Sequence, residues 1–134
     1  MQRRPVPQPA VEVTDLRKVY GTIVAVDGVS FRLEPGTVTA LLGGNGAGKT
    51  TTISMLMGLV VPTSGEARVF GVDMARHRHQ VLHRVNFESP YVDIPMRMTV
   101  RQNLEVFARI YGVPDRDSRI ATLSEELRLG EFLD

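Results

Sequence analysis

The chain has 134 residues, 43% of them hydrophobic and 23% charged, a composition that supports a folded core and excludes a disordered polymer. Sixteen Lys and Arg against fifteen Asp and Glu leave a net charge of +1, so the charge balance does not draw the chain to nucleic acid or anionic lipid. The absence of cysteine excludes a disulfide scaffold and a thiol nucleophile, and the longest nearly apolar run, Met55 to Val61, is too short to span a bilayer.

Residues 1–10 carry Pro5, Pro7 and Pro9 and two arginines with no apolar run behind them. They read as an extended, disordered leader and not as a secretory signal. From Val11 the pattern becomes strand-like, through Val13 and Leu16 to Tyr20, with Gly21 as a break. Ile23 to Val26 and Val29 to Leu33 flank Asp27-Gly28, a dipeptide that predicts a tight hairpin turn. Glu34-Pro35-Gly36 is a second turn, and Val38 to Leu42 is long enough for one buried strand. A helix is predicted after Gly48, with Ile53, Leu56, Met57 and Val60 on one face, then a turn at Thr63-Ser64-Gly65 and a strand over Glu66 to Phe70.

Residues 73–84 place three histidines among arginines that would repel a cation, and read as one polar surface helix before a short strand, Val85 to Phe87. Residues 88–98 hold Pro90 and Pro95 and read as a loop. Thr99 and Gln102 have capping-box spacing and open a helix with Val100, Leu104, Phe107 and Tyr111 as its stripe. A last helix over about 115–129 places Ile120, Leu123 and Leu127 inward, with Gly130 as its C-cap. The whole is an α/β pattern: an antiparallel β unit leading into the start of a parallel-sheet core.

Gly43-Gly44-Asn45-Gly46-Ala47-Gly48-Lys49-Thr50 satisfies G-x-x-x-x-G-K-[ST] without a mismatch. The spacing has a physical reason. Glycines let the backbone adopt positive φ and approach a ligand with no Cβ in the way. Successive amides then cradle phosphate oxygens, and the following helix N-terminus adds its field. Lys49 supplies a charge to the β- and γ-phosphates, and Thr50 a hydroxyl to Mg²⁺. Lys49 is one of only two lysines beside fourteen arginines, so a compact ammonium stands where arginine is otherwise the basic residue.

Gly43 to Thr51, GGNGAGKTT, resembles the Walker A motif of ATP-binding cassette (ABC) ATPases. Val26 to Phe31, Gly58-Leu59 with Pro62 to Glu66, and Thr99-Val100 with Asn103-Leu104 and Tyr111-Gly112 are similar to flanking segments of that family, so the likeness covers nearly all of residues 11–134. Val69-Phe70-Gly71 with Asp73 looks like bacterial exporter-type subunits for drugs, lipids or oligosaccharides. The resemblance implies a P-loop NTPase of ABC type, with a β unit and P-loop core over about 11–87, a loop over 88–98 and the start of a helical subdomain over 99–134.

It also implies ATP and Mg²⁺ as ligands, held by Gly43, Gly44, Asn45, Gly46, Ala47, Gly48, Lys49, Thr50 and Thr51, with Tyr20 stacking on adenine. Thr50 and Glu88 are the implied metal ligands. Glu88 stands where the family carries a glutamine, and is either a Mg²⁺ ligand or a solvated loop acid. Tyr91 to Met98 would face a membrane partner. The implied partners are transmembrane permease subunits and a second ATP-binding domain, not nucleic acid, and the implied location is the cytoplasmic face of the cell membrane. The 134 residues contain no signature motif similar to LSGGQ, no hydrophobic run ending in Asp-Glu and no switch histidine. The chain therefore reads as the N-terminal part of such a subunit, without hydrolytic competence alone; the alternatives are a soluble ABC-type ATPase outside transport and a non-catalytic nucleotide-binding fragment.

Overall fold

The computed structural model describes residues 8–88, 95 and 97–134. Residues 1–7 of the expected leader, and residues 91–94 and 96 of the stretch expected to face a partner, lie outside the described residues. The chain divides into two compact units, residues 1–85 and 86–134.

The first unit is built on a four-stranded antiparallel sheet in the order β2-β1-β3-β4, with β1 Val11–Tyr20, β2 Ile23–Leu33, β3 Ser64–Val69 and β4 Val72–Asp73. The pairing of central strand β1 begins before residue 11, inside the stretch 1–10 expected as a disordered leader: Pro9 is buried, the Ala10 amide donates to the Leu33 carbonyl at 2.8 Å, and the Phe70 amide donates to the Ala10 carbonyl at 2.9 Å. The β1–β2 reversal is at Gly21-Thr22, not at Asp27-Gly28. β2 runs straight through that dipeptide, because Leu16 pairs with Val29 and Lys18 with Val26. Three steps on β2 thus oppose two on β1, which is a bulge, and Gly28 at φ 65° supplies its left-handed residue. A positive φ serves either a turn or a bulge, so the dipeptide alone does not distinguish them.

A second bulge, at Thr14-Asp15 on β1, explains the burial pattern. Val13 and Leu16 both face the core, although a regular strand would turn them to opposite sides. Asp15 adopts φ 45° there, and the Ser30 hydroxyl accepts from its amide at 2.8 Å. Val13, Leu16, Val26 and Ala67 pack with Met55 of helix α1 (Lys49–Leu56). Fully burying one such side chain contributes about 1.5–3 kcal/mol. The inward face of α1 is centred on Thr52 and Met55, with Leu56 and Val60 of the expected stripe packed against the same core and Ile53 left exposed. Ile53 falls outside because the contact of α1 with the core is centred one position away, on Thr52. Gly58, at φ 67°, ends the helix turn.

Residues 73–84 are not one helix. Asp73 caps a four-residue α2 (Met74–His77) by accepting from the amides of Ala75 and Arg76, and two 3₁₀ turns follow. Burial of Val81 beside Val69 and Met74 pulls the chain inward and breaks the helical path. Neither Val38–Leu42 nor Val85–Phe87 forms a strand, and Val38 and Leu42 lie open to solvent. A strand is stable only when a neighbour completes its ladder, and neither run has a strand neighbour among the described residues.

In the second unit the Thr99–Gln102 capping box forms as expected and opens α3 (Val100–Ile110). Ala108 is the buried residue of α3, and Phe107 is largely exposed. Helix α4 (Arg116–Glu126) buries Ile120, while Leu127 is exposed. The left-handed residue after α4 is Arg128, at φ 55°, and not Gly130. Among the described residues no helix is long and apolar enough to cross a membrane.

Candidate nucleotide site

Residues 43–48 form the connection into α1. Gly46 and Gly48 both have φ 81°, a conformation that disfavours any side chain. At Gly48 the constraint is doubled. A Cβ there would stand 2.2 Å from the carbonyl oxygen of Ala25, so the loop can lie against β2 only if this residue is glycine. The bulge geometry of β2 supplies the other half of the fit, since Ala25 is the extra residue between the Lys18–Val26 and Val19–Val24 pairs. The contact between Gly48 and Ala25 was not foreseeable from the motif, which carries no information about the strand behind it.

The Gly48 carbonyl accepts from the Thr52 amide at 2.8 Å and from the Thr52 hydroxyl at 3.0 Å, which fastens the loop to the first turn of α1. The Ala47 amide donates to the Gly44 carbonyl at 3.2 Å, closing a turn with Asn45 and Gly46 at its tip. The amides of residues 48–51 precede the first bond of the helix ladder and have no helical partner. They border a depression of about 320 Å³ lined by Ala25, Asn45, Gly46, Ala47, Gly48, Lys49, Thr50 and Thr51.

Lys49 is folded over its own loop. Its ammonium donates to the carbonyls of Gly43 and Gly44, each at 2.7 Å. An ammonium has three donors, so these two bonds leave one more donor on Lys49, which lines the depression. The structure thus brings Asn45 to Thr51 together around one concavity, with Gly43 and Gly44 contributing carbonyls to the lysine. Thr50 is exposed at the rim.

Tyr20 is not part of this lining. It ends β1, 48% exposed, with the Lys18 ammonium 4.9 Å from its ring centroid. Glu88 is exposed in irregular chain of the second unit. Among the described residues no cluster of three or more His, Cys, Asp or Glu is spaced to hold a metal. Thr50, one of the two implied metal ligands, lines the depression and offers a hydroxyl there.

A glycine loop that lies against β2 and runs into a helix, with a lysine at the first helical position, matches the loop-and-helix part of a P-loop NTPase, although the run that would lead into it, Val38–Leu42, forms no strand. The likeness to solved structures is to that class. A solved ATP-binding subunit of an ABC transporter superposes with TM-score 0.79 at 28% identity, over 92% of this chain and 52% of that one. The fold is shared by an ATP-binding cassette of another ABC transporter, with TM-score 0.73 at 23% identity over 96% of this chain.

The family model for ABC transporters matches residues 26–134, and the chain belongs to that family. It is 40% identical over 106 residues to the Nod factor export ATP-binding protein I of Ralstonia nicotianae, covering 79% of this chain and 33% of that protein. It is 37% identical over 130 residues to the daunorubicin/doxorubicin resistance ATP-binding protein of Streptomyces peucetius, covering 96% of this chain and 39% of that one. The bacitracin transport ATP-binding protein of Bacillus licheniformis is 37% identical over 111 residues. The chain spans about a third of the length of these relatives.

Proposed function

We propose that this chain carries the phosphate-binding half of an ATP-binding subunit that powers an exporter through separate transmembrane subunits, at the cytoplasmic face of the membrane. The observation that supports this most is Lys49, which lines the depression and is seated on two carbonyls of its own loop, so that a third ammonium donor is left over. Phosphate oxygens would meet that donor, the amides of residues 46–51 and the positive end of α1. Bound Mg²⁺ would neutralise charge between the β- and γ-phosphates, with Thr50 as the hydroxyl ligand. The role of Glu88 rests on its place in the sequence, where a carboxylate replaces the amide of the family. Relatives named for Nod factor export, for bacitracin transport and for daunorubicin resistance support export as the direction. A second such subunit is the expected partner in the intact transporter.

Tyr20 is assigned the adenine stack. Its exposed ring at the end of β1 needs no particular base, only a flat partner. Tyr20→Ala is expected to weaken ATP binding by about 1–3 kcal/mol, whereas Tyr20→Phe retains the affinity. Calorimetric titration decides the matter: a Phe variant as weak as the Ala variant would assign the effect to the hydroxyl or to the fold.

Binding is not turnover. Hydrolysis needs the phosphates held, the metal fixed and a water aligned for in-line attack. Gly43 to Thr51 supply the first and part of the second, and none of the described side chains at the depression is a base for the third. The 134-residue chain is expected to release no phosphate above background in a steady-state assay. Steady release abolished by Lys49→Ala would show that the residues present suffice for catalysis.

A further inference from the structure

The second lysine of the chain, Lys18, has no part in the phosphate loop. Its position is nonetheless specific. The ammonium lies over the Tyr20 ring, 4.9 Å from the centroid, and donates to the Val61 carbonyl at 2.8 Å. Residues i and i+2 of a strand share a face, so Lys18 reaches the ring of Tyr20 without distorting β1. The ring is then covered on one side by a cation, while the residue remains half-exposed.

The Val61 end of this contact leads back to the phosphate loop. Residues 57–63 leave α1 directly, and the Leu59 amide bonds back to the Ser54 carbonyl at 2.8 Å. Two further bonds tie this segment to β1: the Thr63 amide donates to the Arg17 carbonyl at 2.9 Å, and the Val19 amide donates to the Thr63 hydroxyl at 3.0 Å. A continuous bonded path therefore runs from the loop through α1 and residues 57–63 to Lys18 and the ring.

We infer that Lys18 is a positioning residue that holds the Tyr20 ring at a set place relative to the phosphate loop, with one face blocked by its ammonium and the other presented to the base. The inference rests on the stacking role proposed for Tyr20. An exposed aromatic side chain is otherwise free to rotate and must be ordered when a base docks. The cation–π contact orders it beforehand. An arginine can do the same, because a guanidinium also stacks on a ring face and also donates to a carbonyl. A methionine fills the stem volume and can touch the ring edge through sulfur, but it brings no cation to the ring face and donates to no carbonyl, so nothing anchors it to Val61.

The test compares Mg·ATP with Mg·tripolyphosphate, which has phosphates but no base, by calorimetry on the protein and its Lys18→Met, Lys18→Arg, Tyr20→Leu and Lys18→Met/Tyr20→Leu variants. Lys18→Met should lose about two- to fivefold in ATP affinity, the span of an exposed cation–π contact. It should bind tripolyphosphate as the parent does. Lys18→Arg should retain ATP affinity, and in the Tyr20→Leu background Lys18→Met should cost nothing more. Undiminished ATP binding by Lys18→Met, equal loss of ATP and tripolyphosphate, or a loss that persists without the Tyr20 ring would each overturn the inference. If Tyr20→Leu itself binds ATP as tightly as the parent, the stacking role falls and Lys18 has no ring to position; if Tyr20→Leu is weak and Lys18→Met is not, stacking stands and only the role of Lys18 fails.

Discussion

Lys49→Ala is expected to weaken Mg·ATP binding by about ten- to a hundredfold, as the loss of a charge-assisted hydrogen bond of about 1.5–3 kcal/mol requires. Two effects combine. The third donor of the ammonium no longer meets phosphate, and the two bonds that hold the carbonyls of Gly43 and Gly44 are gone, so the loop must be ordered when the ligand arrives. The fold should suffer little, because those carbonyls can turn to water in an exposed loop. Calorimetry paired with a melting curve separates the two: affinity should fall while the melting temperature stays near that of the parent. Equal affinity in a folded variant would contradict the assignment of the loop.

Gly48→Ala is expected to do the opposite kind of damage. The added Cβ would meet the Ala25 carbonyl oxygen at 2.2 Å, and the residue would have to keep φ 81°. Backbone strain of this kind costs about 1–3 kcal/mol before any clash is counted, so the loop must leave β2. Both stability and nucleotide affinity should fall together, with a midpoint in denaturant shifted well below that of Lys49→Ala. A control lies in the same sheet. Gly65 has φ 79° and would bring a Cβ to 2.1 Å from the Asp15 carbonyl oxygen, yet it is remote from the loop in sequence and outside its lining. Gly65→Ala should destabilise the fold without a specific loss of affinity in whatever fraction remains folded. If Gly48→Ala behaved as Gly65→Ala does, Gly48 would be a fold residue and not a site residue.

The parts that local chemistry determines were legible in the sequence. The glycine-rich connection into α1, β1, the Thr99–Gln102 box and the turn at Glu34-Pro35-Gly36 each follow from residues within a few positions of one another, whereas β3 begins at Ser64, inside the expected turn, and ends before Phe70. What was not legible depends on distant partners. Asp27-Gly28 reads as a hairpin because a bulge and a turn ask the same φ of glycine, and only the pairing of β2 with β1 separates them. Val38–Leu42 has the composition of a buried strand, but composition cannot provide the neighbour that a ladder needs. The face of α1 is set by where the β1–β2–β3 core stands, which left Ile53 outside and brought Thr52 in. At the depression, Ala25 is the lining residue that lies outside the glycine-rich stretch, Gly43, Gly44 and Tyr20 do not line it, and the motif gave no sign of Lys18 over Tyr20, since that contact is a matter of strand geometry and of the path taken by residues 57–63.

Residues 43–51 are expected to hold the β-phosphate of an adenine nucleotide. Titrating the protein in parallel with Mg·ATP, Mg·ADP and AMP tests it most directly, because the three share base and ribose and differ only in phosphates. ATP and ADP should bind, and AMP should bind at least about tenfold more weakly, having no β-phosphate to meet Lys49 and the loop amides. AMP binding as tightly as ATP would place the affinity in the base alone and contradict the claim, as would a folded protein that binds none of the three.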